Sequence, residues 1–244
     1  MALCLGSLGH CVIIGAYSIV DHRFGPLVTS LDSPVENLSK GEKTRLNILQ
    51  AALRVIAQSG YRGASHRNIA KEAGVSLSLT TYYFKDLQDL LLEAFRLHKT
   101  LLHQEFQPLV QWMMAEASQV AECRQSGVNE DLGKLILMAV DGLSDFIAEQ
   151  VGSRSQGLMV ETVFFFDMHL PEHFREVAFE LRQRFIDDTA DVCRIMGSED
   201  AESDAELITG TIQRLQYEAL SVPDHTGPEQ ISKQLKRLLT ALWL

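Results

Sequence analysis

The sequence lacks the short patterns that mark many catalytic and metal sites. Its four cysteines form no C-x-x-C pair, and the chain contains no nucleophile elbow, phosphate-binding loop or H-E-x-x-H run. An enzyme is therefore the weaker interpretation, and we expect neither a cofactor nor a resident metal ion. We interpret the cysteines as small buried or tail residues in a reducing compartment: Cys4, Cys11, Cys123 and Cys193.

Charged residues are missing from the first 20 positions. A secretory signal would begin with basic residues, and a membrane-spanning helix would contain fewer glycines than this segment does. We therefore expect no membrane role and a cytoplasmic protein. Residues 21–40 are rich in Pro, Ser, Asp and Asn, which is typical of a linker. Residues 1–40 are interpreted as a disordered extension or as a segment that is not translated.

Strand patterns, internal repeats and low-complexity tracts are also missing. The apolar residues, 46% of the 244, recur at three- and four-residue steps that predict amphipathic helices. The run from Val163 to Phe166 could form a strand, but it has no pairing partner and helical neighbours, so a helix is favoured. We predict an all-α protein whose helices after residue 84 span about 87–106, 108–124, 129–150, 153–169, 171–196, 204–222 and 228–242.

Positive charge is concentrated in one part of an acidic chain. The formal net charge is −10, yet residues 40–85 carry eight Lys/Arg against Glu42 and Glu72, a net of +6 that leaves −16 elsewhere. Nucleic-acid-binding surfaces carry such local positive charge, whereas DNA repels an acidic body. The charge distribution therefore predicts a DNA-binding segment within residues 40–85.

This basic segment contains a pattern typical of a helix-turn-helix. A helix at about 42–59 ends at Gly60, and Ser65 can cap a second helix that Gly74 ends. Val75 is the apolar turn residue, and Ser76 can cap the helix that follows. In such a unit the second helix lies in the major groove of DNA.

The residues from Ser65 to Leu90 carry a family resemblance. The pattern Ser65-x-Arg67-x-Ile69-Ala70-x-x-Ala73-Gly74-Val75-Ser76, followed by Thr80-Thr81-Tyr82-Tyr83-Phe84 and Leu90, resembles the DNA-binding domain of TetR-type transcriptional regulators. Together with the preceding helix it covers about 60 of the 244 residues. The resemblance implies a helix-turn-helix domain at 41–102 and a helical effector-binding and dimerisation domain at 103–244.

The resemblance also implies which residues meet DNA. Leu77, Ser78 and Leu79 would face base edges, and Arg67 could reach guanine or phosphate. The remaining residues of the predicted set would mainly contact phosphates and so fix the position of the protein along the DNA. Val75 and Phe84 would support the fold of the domain without contacting DNA. The predicted DNA-binding set is Ser65, His66, Arg67, Ser76, Leu77, Ser78, Leu79, Thr81, Tyr82, Tyr83 and Lys85.

A small-molecule cavity among the later helices is a further implication. Aromatic residues at helical spacing are more often plain core, so we expect only some of the candidates to touch an effector. Asp167, His169, Glu172 and His173 have metal-ligand chemistry, but Pro171 interrupts them and a polar helix junction is favoured. The predicted effector pocket comprises Trp112, Met113, Phe146, Phe164, Phe165 and His169.

These inferences predict a homodimeric repressor that a small-molecule effector releases from a pseudo-palindromic operator in double-stranded DNA. The helices 171–196 and 203–222 would pair with those of the partner as a four-helix bundle. The sequence leaves open activation instead of repression. Outside regulation, the alternative is a helical-bundle ligand-binding protein or enzyme with no DNA role.

Overall fold

The computed structural model describes residues 39–125 and 132–244, so most of the predicted N-terminal extension lies outside the described residues. The described residues form helices and no strand, as predicted. None of these helices has the length and apolar character needed to cross a membrane. The helices are α1 Lys40–Gly63, α2 His66–Ala73, α3 Leu77–Tyr83, α4 Leu87–Gln125, α5 Leu132–Val151, α6 Ser155–Phe166, α7 Glu172–Met196, α8 Ala201–Ser221 and α9 Pro228–Trp243.

Local signals set the ends of several helices. Ser39 and Glu42 form a reciprocal capping box at the start of α1. Gly60, which the sequence predicts as the end of the first helix, has φ +66° and interrupts α1, after which one short turn continues to Gly63. Gly74 and Gly197 have φ +67° and +85° and end α2 and α7 in the left-handed conformation that favours glycine.

Three predicted helix boundaries were wrong, the first being the end expected at residue 169, where the helix stops at Phe166. The helix start predicted at about residue 129 lies outside the described residues. A break between residues 106 and 108 was expected, but α4 runs unbroken through Pro108 and is 39 residues long. Proline removes one backbone hydrogen bond there, and burial of Phe106, Leu109 and Val110 on both sides offsets that loss. The helix expected from about residue 204 begins at Ala201, because Asp200 accepts a hydrogen bond from the Ser203 amide and caps it.

The helices enclose two main apolar cores. The head core contains buried residues of α1, of α2 and of α4 up to Phe95, together with Phe84 directly after α3, but also Phe164 of α6 and Phe174 of α7. The body core joins α4 beyond Phe106 to α5, the end of α7, α8 and α9. The predicted domain boundary at 102/103 therefore falls inside α4, and the start of α7 belongs to the core of the predicted DNA-binding part.

Candidate DNA-binding surface and effector cavity

The recognition unit, residues 65–84, is fixed at its turns by the predicted caps. Ser65 Oγ accepts a hydrogen bond from the Asn68 amide at 3.1 Å, and Ser76 Oγ accepts one from the Leu79 amide at 3.3 Å. The amide of Val75 donates to the carbonyl of Ala70 at 3.0 Å, which closes the end of α2. Val75 packs against the head core, so the tight turn between α2 and α3 follows directly from these residue types.

Side chains of α1 hold the recognition unit by contacts that the sequence analysis missed. The Asn47 side-chain amide donates to the Ala73 carbonyl at 2.8 Å and so satisfies the C-terminal end of α2. Arg54 pairs with Glu72 at 2.6 Å. The amide side chain of Asn47 indicates a hydrogen-bond donor on α1, but its acceptor, the Ala73 carbonyl, is 26 positions away in the chain and could not be identified from the sequence. These contacts orient α2 and α3 on α1.

The first turn of α3 presents a mixed apolar and hydroxyl surface to solvent. Leu77 is 44% exposed and Ser78 is exposed, while Leu79 is half-buried. Ser78 Oγ lies 2.9 Å from Ser76 Oγ. Thr80, by contrast, is fully buried and donates its hydroxyl to the Leu77 carbonyl at 2.8 Å. Leu77 and Ser78 are therefore the most accessible of the residues predicted to read base edges.

The cationic side chains near this surface differ in whether they already form an ion pair within the protein. Arg67 and Lys85 are exposed and make no ion pair with any described residue. Arg45 of α1 pairs with Glu93 and lies over the Phe84 ring, with its guanidinium carbon 5.0 Å from the ring centroid. Arg54 is similarly paired. The local excess of positive charge that remains available therefore includes Arg67 and Lys85 but not Arg45.

The aromatic and imidazole members of the predicted set have different surroundings. Tyr82 is 76% exposed and packs edge-on against Tyr83, with ring centroids 5.2 Å apart. Tyr83 is half-buried, and its hydroxyl lies close to Gly41 at the start of α1. Both ring nitrogens of His66 are shielded and have no hydrogen-bond partner among the described residues. A phosphate contact from Tyr82 or Lys85, as the sequence predicts, would need no rearrangement, whereas a contact from His66 would need one.

A second candidate site lies between the head core and the body core. It is a cavity of about 60 Å³ bounded by α4, α5, α6, α7 and α8. Five of its eleven lining side chains are aromatic or aliphatic, and the other six are charged, amide or hydroxyl side chains. Its lining residues are Lys99, Leu102, Phe106, Phe146, Glu161, Arg182, Phe185, Thr209, Ile212, Gln213 and Gln216.

A buried ion pair forms one wall of this cavity. Lys99 and Glu161 are 5% and 4% exposed, and Lys99 Nζ donates to Glu161 Oε1 at 3.2 Å. His98 Nε2 lies 3.2 Å from the same oxygen. Burial alone would raise the pKa of Glu161, but the charge of Lys99 and the contacts with His98 lower it to about 2. Glu161 is therefore an anion that the protein already neutralises.

The structure brings one of the six predicted pocket residues to the cavity wall. Phe146 lines it, whereas Met113 is buried in the body core and Trp112 packs against that core. Phe164 belongs to the head core, where it stacks on Phe95 with centroids 3.8 Å apart.

Phe165 packs against the head core, and His169 is exposed at the junction of α6 and α7, where it contacts Asp167. In the described part of the chain no group of three or more His, Cys, Asp or Glu side chains could hold a metal ion. Sequence reasoning missed the polar wall because Lys99, Glu161 and Arg182 come from three helices.

Comparison with known proteins finds a family match over part of the chain. Residues 48–94 match the family model described as bacterial regulatory proteins, tetR family. The chain is 50% identical over 56 residues to the HTH-type transcriptional regulator PksA of Bacillus subtilis (strain 168). That match covers 23% of this chain and 27% of the relative, so it spans about a quarter of each.

Similarity to solved structures extends over most of the chain. A transcriptional regulator from Rhodococcus sp. Rha1 superposes with a TM-score of 0.58 at 23% identity and covers 81% of this chain and 95% of its own. A transcriptional regulator from Saccharomonospora viridis in complex with choline gives a TM-score of 0.59 at 21% identity, with 82% and 96% covered. At these identities the likeness concerns the fold, which is all-α with an N-terminal helix-turn-helix.

Proposed function

Because this chain carries the DNA-binding domain of the tetR family of bacterial regulatory proteins, we propose that it is a sequence-specific transcriptional regulator. The observation that supports this most directly is the recognition unit itself. Its two helices are capped at the turn, Arg67, Leu77 and Ser78 are exposed on it, and Lys85 directly after it makes no ion pair with a described residue. Such a surface suits base edges in the major groove flanked by phosphates.

The regulator acts in this proposal as a homodimer. A single recognition helix offers few contacts, whereas two helices about 34 Å apart match consecutive major grooves of a pseudo-palindromic operator. The helices α7 and α8 carry large apolar side chains that face solvent in the single chain. Phe179 is 62% exposed and Leu207 is 54% exposed, as expected of residues that a partner subunit covers. We place the dimer interface on α7 and α8.

A small molecule in the cavity controls DNA binding in this proposal, and the regulator is a repressor that the molecule releases. Lys99 lies on α4 one turn after Phe95, which belongs to the head core, and two turns before Phe106, which belongs to the body core. Its partner Glu161 lies on α6, which packs against α1. A ligand that separates α4 from α6 would therefore tilt the recognition unit.

Recovery of bound DNA tests the proposal. The full-length purified chain is mixed with random duplex DNA, and retained sequences are determined. Recovery of a pseudo-palindrome is the expected result, since two symmetry-related recognition units read two half-sites. Recovery of sequences no different from the input, at low and at physiological salt, would argue for the alternative of a helical ligand-binding protein without a DNA role.

Measurement of the oligomeric state provides a second test. The chain and a Phe179→Glu/Leu207→Glu variant are compared by light scattering. We expect a dimer and a largely monomeric variant, because each glutamate would place a charge in an apolar interface. A variant with Phe166→Glu, which changes an exposed apolar residue at the end of α6, serves as the control. Dimers of unchanged stability in the double variant would contradict the α7 and α8 interface.

A further inference from the structure

The cavity wall contains a cation without a carboxylate partner. Arg182 of α7 lines the cavity, is half-buried, and forms no ion pair or hydrogen bond with any described residue. Its Nη2 atom lies 4.0 Å from the position that a Cβ atom would take on Gly210 of α8. Because residue 210 is glycine, it has no side chain that could cover the Arg182 guanidinium. A guanidinium in this position presents paired N–H donors to whatever enters the cavity.

The single acidic group of the lining is already occupied. Glu161 accepts from Lys99 at 3.2 Å and contacts His98 at the same distance. Lys99 Nζ also lies over the Phe185 ring, 4.5 Å from its centroid. The charged groups of the wall are therefore Lys99, Glu161 and Arg182, and after the Lys99 and Glu161 charges cancel, one positive charge remains. A cationic ligand would enter a cavity of net positive charge.

The rest of the wall suits an apolar body. Phe106, Phe146 and Phe185 form one continuous side, with ring centroids of Phe106 5.1 Å from Phe146 and 5.6 Å from Phe185. The cavity volume of about 60 Å³ is well below the roughly 150 Å³ that holds benzene in an engineered cavity. A ligand that fits without rearrangement is therefore a few carbon atoms long, and a longer one must extend toward the cavity mouth.

We propose that the cavity selects small organic acids: a carboxylate binds Arg182 and an aliphatic chain lies against Phe106, Phe146 and Phe185. The proposal rests on the proposed function of the cavity as the effector site and adds the chemical class of the effector. A carboxylate matches the planar guanidinium with two parallel hydrogen bonds. It can also approach Lys99, and would then compete with Glu161 for the ammonium that joins α4 to α6.

The test compares ligands that differ only in their head group. Butanoate, 1-butanol and butylammonium are titrated into the full-length chain by calorimetry at equal ionic strength, and hexanoate and octanoate extend the acid series. We expect heat of binding and a raised melting temperature from the acids alone. The variant Arg182→Gln should weaken acid binding roughly 10- to 100-fold, because it removes a charge-assisted hydrogen-bond pair. Arg184→Gln, an exposed position on the same helix, is the matched control and should leave binding unchanged.

Several results would overturn the assignment. Binding of butylammonium in place of the acids would mean that Glu161 is the recognition group. Equal acid affinity in Arg182→Gln and in the unaltered chain would remove the guanidinium from the site. Absence of binding by all three acids at millimolar concentration would exclude this ligand class. If the acids bind through Arg182 but leave the selected DNA bound, the ligand class holds and the release mechanism of the proposed function fails.

Discussion

The recognition unit is stabilised by contacts between residues close in the sequence, whereas the cavity is formed by residues far apart in the sequence. At the turn between α2 and α3, the caps from Ser65 and Ser76 join atoms three residues apart. Around the cavity, Lys99 and Glu161 are 62 positions apart, and His103 and Asp188 are 85 positions apart. The recognition unit is thus defined largely by its own short sequence, whereas the cavity exists only after five helices have packed. Changes in the cavity should therefore affect the whole fold, and changes on the recognition unit should act locally.

The largest effect is expected from breaking the buried ion pair. Lys99→Met leaves Glu161 buried with His98 as its remaining partner, and should lower the free energy of unfolding by about 3 kcal/mol or more. The double variant Lys99→Met/Glu161→Leu removes both charges and should recover most of that loss. Chemical denaturation of the three proteins provides the measurement. A double variant as unstable as the single variant would mean that the pair acts through shape alone.

Acid should remove the stabilising effect of the same ion pair. The folded state holds the pKa of Glu161 at about 2, below its ordinary value of 4.5, so its stabilising effect is complete above pH 4.5 and is lost as the pH falls toward 2. The shift corresponds to a few kcal/mol at neutral pH. Unfolding measured from pH 7 to pH 3 should show a steeper loss for the unaltered chain than for Lys99→Met/Glu161→Leu. Parallel curves would show that other carboxylates dominate acid unfolding.

Arg67→Ala tests the opposite case, a change that leaves the fold intact. Arg67 is exposed and forms no ion pair with a described residue, so its removal should leave the melting temperature unchanged. Its loss should weaken operator binding by about 1–3 kcal/mol if it reads a base. Gel-shift titration with the selected DNA measures the effect, and Lys236→Ala at an exposed position on α9 is the control. Equal affinity of Arg67→Ala and the unaltered chain would remove Arg67 from the contact surface.

The same contrast explains how much the sequence could predict. The helical class, the caps at Ser65 and Ser76 and the left-handed Gly74 follow from residue type and spacing, and the structure confirms them. The wall formed by Lys99, Glu161 and Arg182 could not be predicted, because no local pattern indicates which helices meet. Pro108 is a case in which the local sequence led to a wrong prediction. Proline favours a helix break, but the packing of α4 between two cores keeps the helix continuous.

The smallest effect concerns a single cap and separates stability from DNA contact. Ser65→Ala removes the acceptor for the Asn68 amide and should cost about 1 kcal/mol of stability. Ser65→Asp keeps an acceptor at the same place, so it should fold as stably as the unaltered chain. Its negative charge would still lie where we expect a phosphate, and should weaken operator binding more than Ser65→Ala does. Thermal unfolding and gel-shift titration on both variants therefore give opposite rank orders if Ser65 both caps α2 and approaches DNA. Equal DNA affinity of the two variants would limit Ser65 to capping.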